Sequence, residues 1–375
     1  MLIKNAKVFN EAGFFEDRDI FVEDGIIKES AGMDRAEDIV EAAGLYAIPG
    51  LTDIHFHGCM GYDFCDGNHE AISALADYEA KNGVTTICPA TMTLSPDKIY
   101  EICRAAGTYR SEKGAILCGI NMEGPFISIE KKGAQNSEFI QSPNRELFLK
   151  AQEAAGGLIK SVAIAPEVPG AMEFISMEKE NAVLSIAHTT ADYDTAREAM
   201  EKGVRHVTHL YNAMPPLSHR APGVIGAAFD CKDCEVEVIC DGIHIHPSVI
   251  RATFQMFGDD RIIMISDSME ATGLSDGEYS LGQQPVFVKG NLCTLKDGTI
   301  AGSGTNLMDC LRVAVKTVGI ELAVAVKCAA VNPAKSIGIY EQYGSLDVGK
   351  RANIVLLDED LKIQAVYIKG RNYLQ

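Results

Sequence analysis

Short apolar runs alternate with amphipathic stretches through the middle of the chain, and this alternation predicts its architecture. The runs fall at Leu51–His57, Val84–Pro89, Ile116–Glu123, Ile159–Ala165, Val183–His188, His206–His209, Val236–Asp241 and Ile262–Asp267. Each is nearly continuous in apolar character, as strands buried on both faces are. Between most of them lie helical patterns, for example Glu70–Lys81, Pro96–Tyr109, Arg145–Ala155, Ala171–Glu180, Asp192–Lys202 and Pro247–Phe257. Eight buried strands alternating with helices predict an α/β fold, specifically a (β/α)8 TIM barrel, ahead of an open doubly wound sheet.

The two ends read differently. Ile3–Val8, Asp19–Val22, Ile26–Glu29 and the run towards Ala47 carry period-two or short apolar patterns broken by turn signals such as Glu23-Asp24-Gly25. Ala352–Leu357 and Ile363–Lys369 look alike at the other end. Chain ends often lie close together, so residues 1–48 and 344–375 are expected to build one small β-sandwich domain beside a barrel spanning 49–343. Tyr279–Ile300, after the eighth strand, reads as an inserted β-hairpin with Gly-Asn and Asp-Gly turns.

Composition narrows the function classes. A chain of 375 residues holds a barrel of about 250 residues with a small domain to spare. Apolar residues at 47% and charged residues at 23% are those of an ordinary folded protein. The net charge of −18, from 34 basic and 52 acidic residues, argues against a nucleic-acid or anionic-membrane surface. An anionic small substrate stays open, because one arginine or helix N-terminus overrides the global field locally. No window approaches the run of about 20 apolar residues that spans a bilayer, and Met1–Val8 alternates like a strand rather than a signal peptide. The eleven cysteines are scattered singly and read as reduced thiols of a cytoplasmic protein. Cys231-Lys232-Asp233-Cys234 has zinc-like spacing without a second pair, which argues against a structural zinc.

The chemistry gathers where a barrel would put it, at the C-terminal ends of the strands. Pro49–Gly58 ends in His55-Phe56-His57, and residues two apart on a strand share a face, so both imidazoles point the same way and can grip a metal. Strand three ends in Glu123, strand five in His188, strand six in His209 and strand eight in Asp267. A purely structural strand has no need of an ionisable residue at its end. Two histidines and a carboxylate leave an open position on a divalent metal, the arrangement of catalytic sites. Such a metal lowers the pKa of its water to about 7 and polarises a carbonyl, and a nearby carboxylate, Asp267 by position, can move the proton as general base. Hydrolysis of an amide, ester or related bond is the expected reaction. His69, His206, His219 and His246 take no role and are read as solvated or packing residues; Gly302-Ser303-Gly304 reads as a flexible turn over the site.

Several stretches together resemble the amino-sugar-phosphate deacetylases of the amidohydrolase superfamily. They are Pro49–Gly58, Glu123-Gly124-Pro125 with Lys131-Lys132-Gly133-Ala134-Gln135, Ala187-His188-Thr189, Thr208–Pro215, Asp241-Gly242-Ile243-His244 and Ser266-Asp267. His209-Leu210-Tyr211-Asn212-Ala213-Met214 is the most specific of them. The resemblance covers nearly the whole chain and implies a hydrolase removing acetate from N-acetylglucosamine 6-phosphate, with the galactosamine epimer, or an inactive metal-binding scaffold, as rivals. It implies Glu123, His188 and His209 as ligands of the principal metal, zinc or iron. The pair His55 and His57 would hold a second, and Asp267 would act as base and then acid. It further implies that Asn212, Ala213, Arg220 and His244 hold the sugar phosphate, that Gln135 stands near the substrate where some relatives have histidine, and that the chain forms a homodimer.

Overall fold

Eight short parallel strands curl around one axis in the computed structural model, which describes residues 1–10, 12–29, 36, 38–110 and 113–374. Hydrogen bonding groups them as two sheets. Leu51–Asp53, Val84–Ile87 and Ile116–Leu117 form one, and Ile120–Met122, Ile159–Ile164, Val183–Ile186, His206–Val207, Glu235–Ile239 and Ile262–Ile265 form the other, the third of the eight strands being divided between them as Ile116–Leu117 and Ile120–Met122. A parallel bridge between Ala90 and Asn121 joins the two sheets. The ring closes between the eighth strand and the first, where Asp267 N donates to His55 O at 2.9 Å and His57 N to Ser268 O at 2.7 Å. The fold is therefore the expected (β/α)8 barrel.

A helix follows each strand: His69–Lys81, Pro96–Thr108, Arg145–Ala154, Ala171–Glu178, Tyr193–Lys202, Gly223–Asp230, Pro247–Phe257 and Leu307–Val313. Six start on a polar cap. Asn68, Ser95, Asn144, Asp192, His246 and Asn306 each accept a backbone N–H from the first turn, the Asn, Ser and Asp caps contributing about 1 kcal/mol each. The helix Gly223–Asp230 escapes a periodicity search because its residues through Ala228 are all buried, leaving no polar face to set a period of 3.6.

The terminal segments share one mixed sheet. Leu2–Phe9, Phe15–Glu23, Ile26–Lys28, Ile39–Glu41 and Tyr46–Pro49 come from the start of the chain, and Ile354–Leu357, Ile363–Ile368 and Arg371–Asn372 from its end. The seam is antiparallel, with Tyr46–Pro49 against Ile354–Leu357, over a separate apolar cluster that includes Ile3, Val8, Ile20, Ile27 and Ile354. Gly50 is the single residue between this sheet and the barrel's first strand. A Cβ there would stand 2.1 Å from Thr85 Oγ1, so only glycine fits the crossing.

Three readings are corrected. The barrel strands stop short of the ionisable residues expected to end them, by one residue at Glu123, two at His55, His188, His209 and Asp267, and four at His57. The insertion is a three-stranded antiparallel sheet, Gly277–Leu281, Gln284–Lys289 and Leu292–Thr294, rather than a two-stranded hairpin. Gly302-Ser303-Gly304 is no flexible turn, because Ser303 is buried and bridged in parallel to Ser268, with Ser303 N donating to Asp267 O at 2.7 Å.

Candidate active site

The sharp breaks after the strands bring the ionisable groups together. His188, His209 and Asp267 sit at φ of +44°, +29° and +50°. That left-handed region costs a non-glycine residue about 1 kcal/mol or more, and such strain collects at functional sites. Each break takes its residue out of the strand's alternation of faces. At Glu123 the break is passed to the next residue, Gly124 at φ +80°, whose absent Cβ would lie 2.1 Å from Thr93 Oγ1.

Two groups of potential ligands result, Glu123 with His188 and His209, and His55 with His57 and Asp267, all six buried. Glu123 Oε1 lies 3.1 Å from His188 Nε2 and 3.2 Å from His209 Nε2, and those two nitrogens are 3.2 Å apart. Asp267 Oδ1 lies 3.3 Å from His57 Nε2 and 3.7 Å from His55 Nε2. Glu123 joins the groups, its Oε1 being 3.5 Å from His55 Nε2 and its Oε2 3.4 Å from His57 Nε2.

The outward nitrogens set the direction of the inward ones. His188 Nδ1 is 2.8 Å from the Lys131 carbonyl and His55 Nδ1 is 2.8 Å from Glu237 Oε2, so protons on those nitrogens leave both Nε2 lone pairs facing the site. Nε2 of His55 is buried with no hydrogen-bond partner. An orphaned imidazole nitrogen among carboxylate oxygens, beside two more imidazole nitrogens, is a nitrogen and oxygen donor set that fits a divalent cation. Without a cation among them the imidazoles can carry the charge instead, and a protonated His55 with bonds from His188 and His209 then outweighs burial and holds the Glu123 carboxyl well below the usual range. Burial also opposes ionisation of Asp267, and the bond from His57 with the charge of His55 outweighs it, keeping that carboxylate low.

These groups open into a cavity of about 620 Å³. His57, Glu123, His188, His209 and Asp267 line it, as do Gln135, Asn212, Ala213 and His244 among the expected substrate contacts. Gln135 is tied down on both ends of its amide. Its Nε2 donates to Glu123 Oε2 at 2.7 Å, and its Oε1 accepts Thr93 N at 2.6 Å. Gln284 of the insertion donates to the Ala134 carbonyl, which seats the insertion against the Lys131–Gln135 loop; Leu281, Leu295 and Ile300 complete that wall. His244 Nδ1 lies 2.7 Å from Asp241 Oδ2; burial would lower its pKa, yet Asp241 raises it above the ordinary value, favouring an imidazolium that can meet an anion.

Arg220 is not brought to the cavity by its own chain. It stands exposed on the tight turn closed by Ser218 and Ala221, outside the lining residues. A loop rich in proline and without helix or strand pairing does not reveal from its sequence where its tip projects. His219 and His246 are exposed, and His69 bonds to Ala105 O and Thr108 Oγ1, in line with no role at the site. His206 is the packing residue among the four, buried with Nε2 3.0 Å from Glu237 Oε1. Glu237 takes no role in the sequence reading, and Asp241 enters it only within the stretch Asp241–His244. The signal for Glu237 lies in Glu235-Val236-Glu237-Val238-Ile239, where a carboxylate inside a buried strand demands a partner.

Comparisons with known proteins agree with this geometry. The sequence profile of the Amidohydrolase family matches residues 46–372. N-acetylglucosamine-6-phosphate deacetylase of Bacillus subtilis (strain 168) is 34% identical over 380 residues, covering 99% of this chain and 96% of its own. N-acetylgalactosamine-6-phosphate deacetylase of Escherichia coli O157:H7 is 30% identical over 373 residues, covering 99% and 98%. A mutant N-acetyl-D-glucosamine-6-phosphate deacetylase of Mycobacterium smegmatis, solved in complex with N-acetyl-D-glucosamine-6-phosphate, superposes with a TM-score of 0.93 at 30% identity, covering 100% and 99%.

Proposed function

The chain belongs to the amidohydrolase family, and from that premise we propose that it hydrolyses the acetamide of N-acetylglucosamine 6-phosphate to glucosamine 6-phosphate and acetate. The observation that carries this reading is the meeting of two ligand groups through Glu123 in one buried patch that opens into the cavity. Glu123, His188 and His209 would hold the principal divalent ion, zinc or iron, and His55 and His57 a second. Such an ion, when bound, activates water and polarises the acetyl carbonyl.

The remaining work falls to the chain's own groups. Asp267 is buried, ionised and directed at the histidines, so it takes the proton of the attacking water and returns it to the departing amine. Asn212, the Ala213 backbone and His244 bind the sugar phosphate, and Asp241 keeps the His244 imidazole turned and charged for that task. Gln135 lines the cavity while committed to Glu123. The reading extends to a cytoplasmic homodimer. All eleven cysteines are unpaired, which suits a reducing compartment, and among the described residues no helix is long and apolar enough to cross a membrane. The galactosamine epimer is the less favoured substrate, its deacetylase being the more distant of the two curated relatives.

The test is acetate release by the purified protein from both phosphorylated N-acetyl sugars, with elemental analysis of the same sample. Turnover of the glucosamine substrate with bound divalent metal is the expected result. Absence of acetate from either sugar overturns the reading.

A further inference from the structure

One carboxylate outside the ligand groups touches both of them. Glu237, in the seventh strand, is 1% exposed. Its Oε2 lies 2.8 Å from Nδ1 of His55 and 3.2 Å from the backbone nitrogen of His209, and its Oε1 lies 3.0 Å from Nε2 of His206. His206 is buried in turn, with Nδ1 3.4 Å from Ser336 Oγ and 3.7 Å from Glu235 Oε2. A buried carboxylate persists only when donors surround it, and here, beside His206, the donors are a side chain of one ligand group and the backbone of the other.

We propose that Glu237 is a positioning residue of the metal site, holding the proton on Nδ1 of His55 so that Nε2 presents its lone pair, and tethering the chain at the left-handed His209. The inference rests on the reading of His55 and His209 as metal ligands. Carboxylates that accept the outward N–H of a ligating histidine fix its tautomer and ring orientation, and losing one weakens metal affinity or activity by about 10- to 100-fold. An amide at this position cannot do the same. Glutamine offers one acceptor and one donor group, so it satisfies His55 or His206 but not both as N–H donors.

Two measurements decide it. The first is nitrogen NMR of the histidine rings in the zinc-loaded wild-type protein. Protonated Nδ1 at His55 is expected, and an unprotonated Nδ1 overturns the proposal without any variant having to fold. The second titrates zinc alone against a competing chelator in wild type, Glu237→Gln and Glu237→Asp. Glu237→Gln should bind zinc about 10- to 100-fold more weakly and lose kcat by a similar factor with little change in KM, while Glu237→Asp recovers part of both. A folded Glu237→Gln within twofold of wild type in affinity overturns the positioning role. A wild-type protein that binds zinc but releases no acetate sinks the deacetylase reading while leaving these two readouts to stand or fall on their own.

Discussion

Gln135 Nε2 donates to Glu123 Oε2 at 2.7 Å, so one oxygen of the carboxylate that joins the two ligand groups is already committed to the protein. The other oxygen, Oε1, is the one nearest His188, His209 and His55. The amide of Gln135 thus selects which oxygen faces the metal position, and Thr93 N fixes the amide from its other end.

Replacing Gln135 by leucine removes that selection at nearly constant size. We expect Gln135→Leu to fold, to bind divalent metal about tenfold more weakly, and to lose a comparable factor in kcat. Metal titration beside steady-state kinetics checks this; unchanged metal affinity would confine Gln135 to a substrate contact.

Asp267→Asn keeps the size of the side chain and removes the proton acceptor. Turnover should fall by about 10²- to 10⁴-fold while metal remains at Glu123, His188 and His209. Elemental analysis with kcat of the purified variant reads both, and activity like wild type would remove Asp267 from proton transfer.

His244 should give substrate binding a pH dependence. Asp241 raises its pKa above the ordinary 6.5, so the imidazolium proposed to meet the phosphate persists past that pH and is lost as pH rises through the folded value. KM is expected to climb on that alkaline side. In Asp241→Asn the raising partner is gone, so the climb should move to lower pH, which KM profiles of both proteins would reveal.

Glu79 predicts a stability effect remote from catalysis. It is fully buried in helix His69–Lys81 with neither carboxyl oxygen partnered, and burial together with the charge of Asp53 pushes its pKa well above 4.5. The folded state then holds a proton that the unfolded chain releases above about pH 4.5, so this group costs stability increasingly as pH rises, by at most about 1.4 kcal/mol per pH unit. Glu79→Gln has no proton to lose. Its stability curve in urea should gain on wild type between pH 5 and 8, and parallel curves would refute the assignment.

Much of this protein is legible from its residues alone. Eight apolar runs separated by helical patterns specify a barrel because strands covered on both faces have no polar positions to spare. Glu123, His188, His209 and Asp267 could be singled out because each places an ionisable group directly after such a run. Packing decided the rest. The left-handed breaks at His188, His209 and Asp267 are conformations that histidine and aspartate adopt more readily than most residues but do not by themselves dictate. Glu237 reaches His55 across 182 residues, a pairing that exists only once the strands have closed into a ring, and Gln135 reaches back to Glu123 from later in the same connection, through a loop path that no periodicity specifies. Arg220 lies on an exposed turn away from the cavity for the complementary reason, since a loop takes its direction from the surfaces at its two ends rather than from its own pattern. Local alternation of polar and apolar residues settles which segments are buried; which buried group meets which is settled by closure of the barrel.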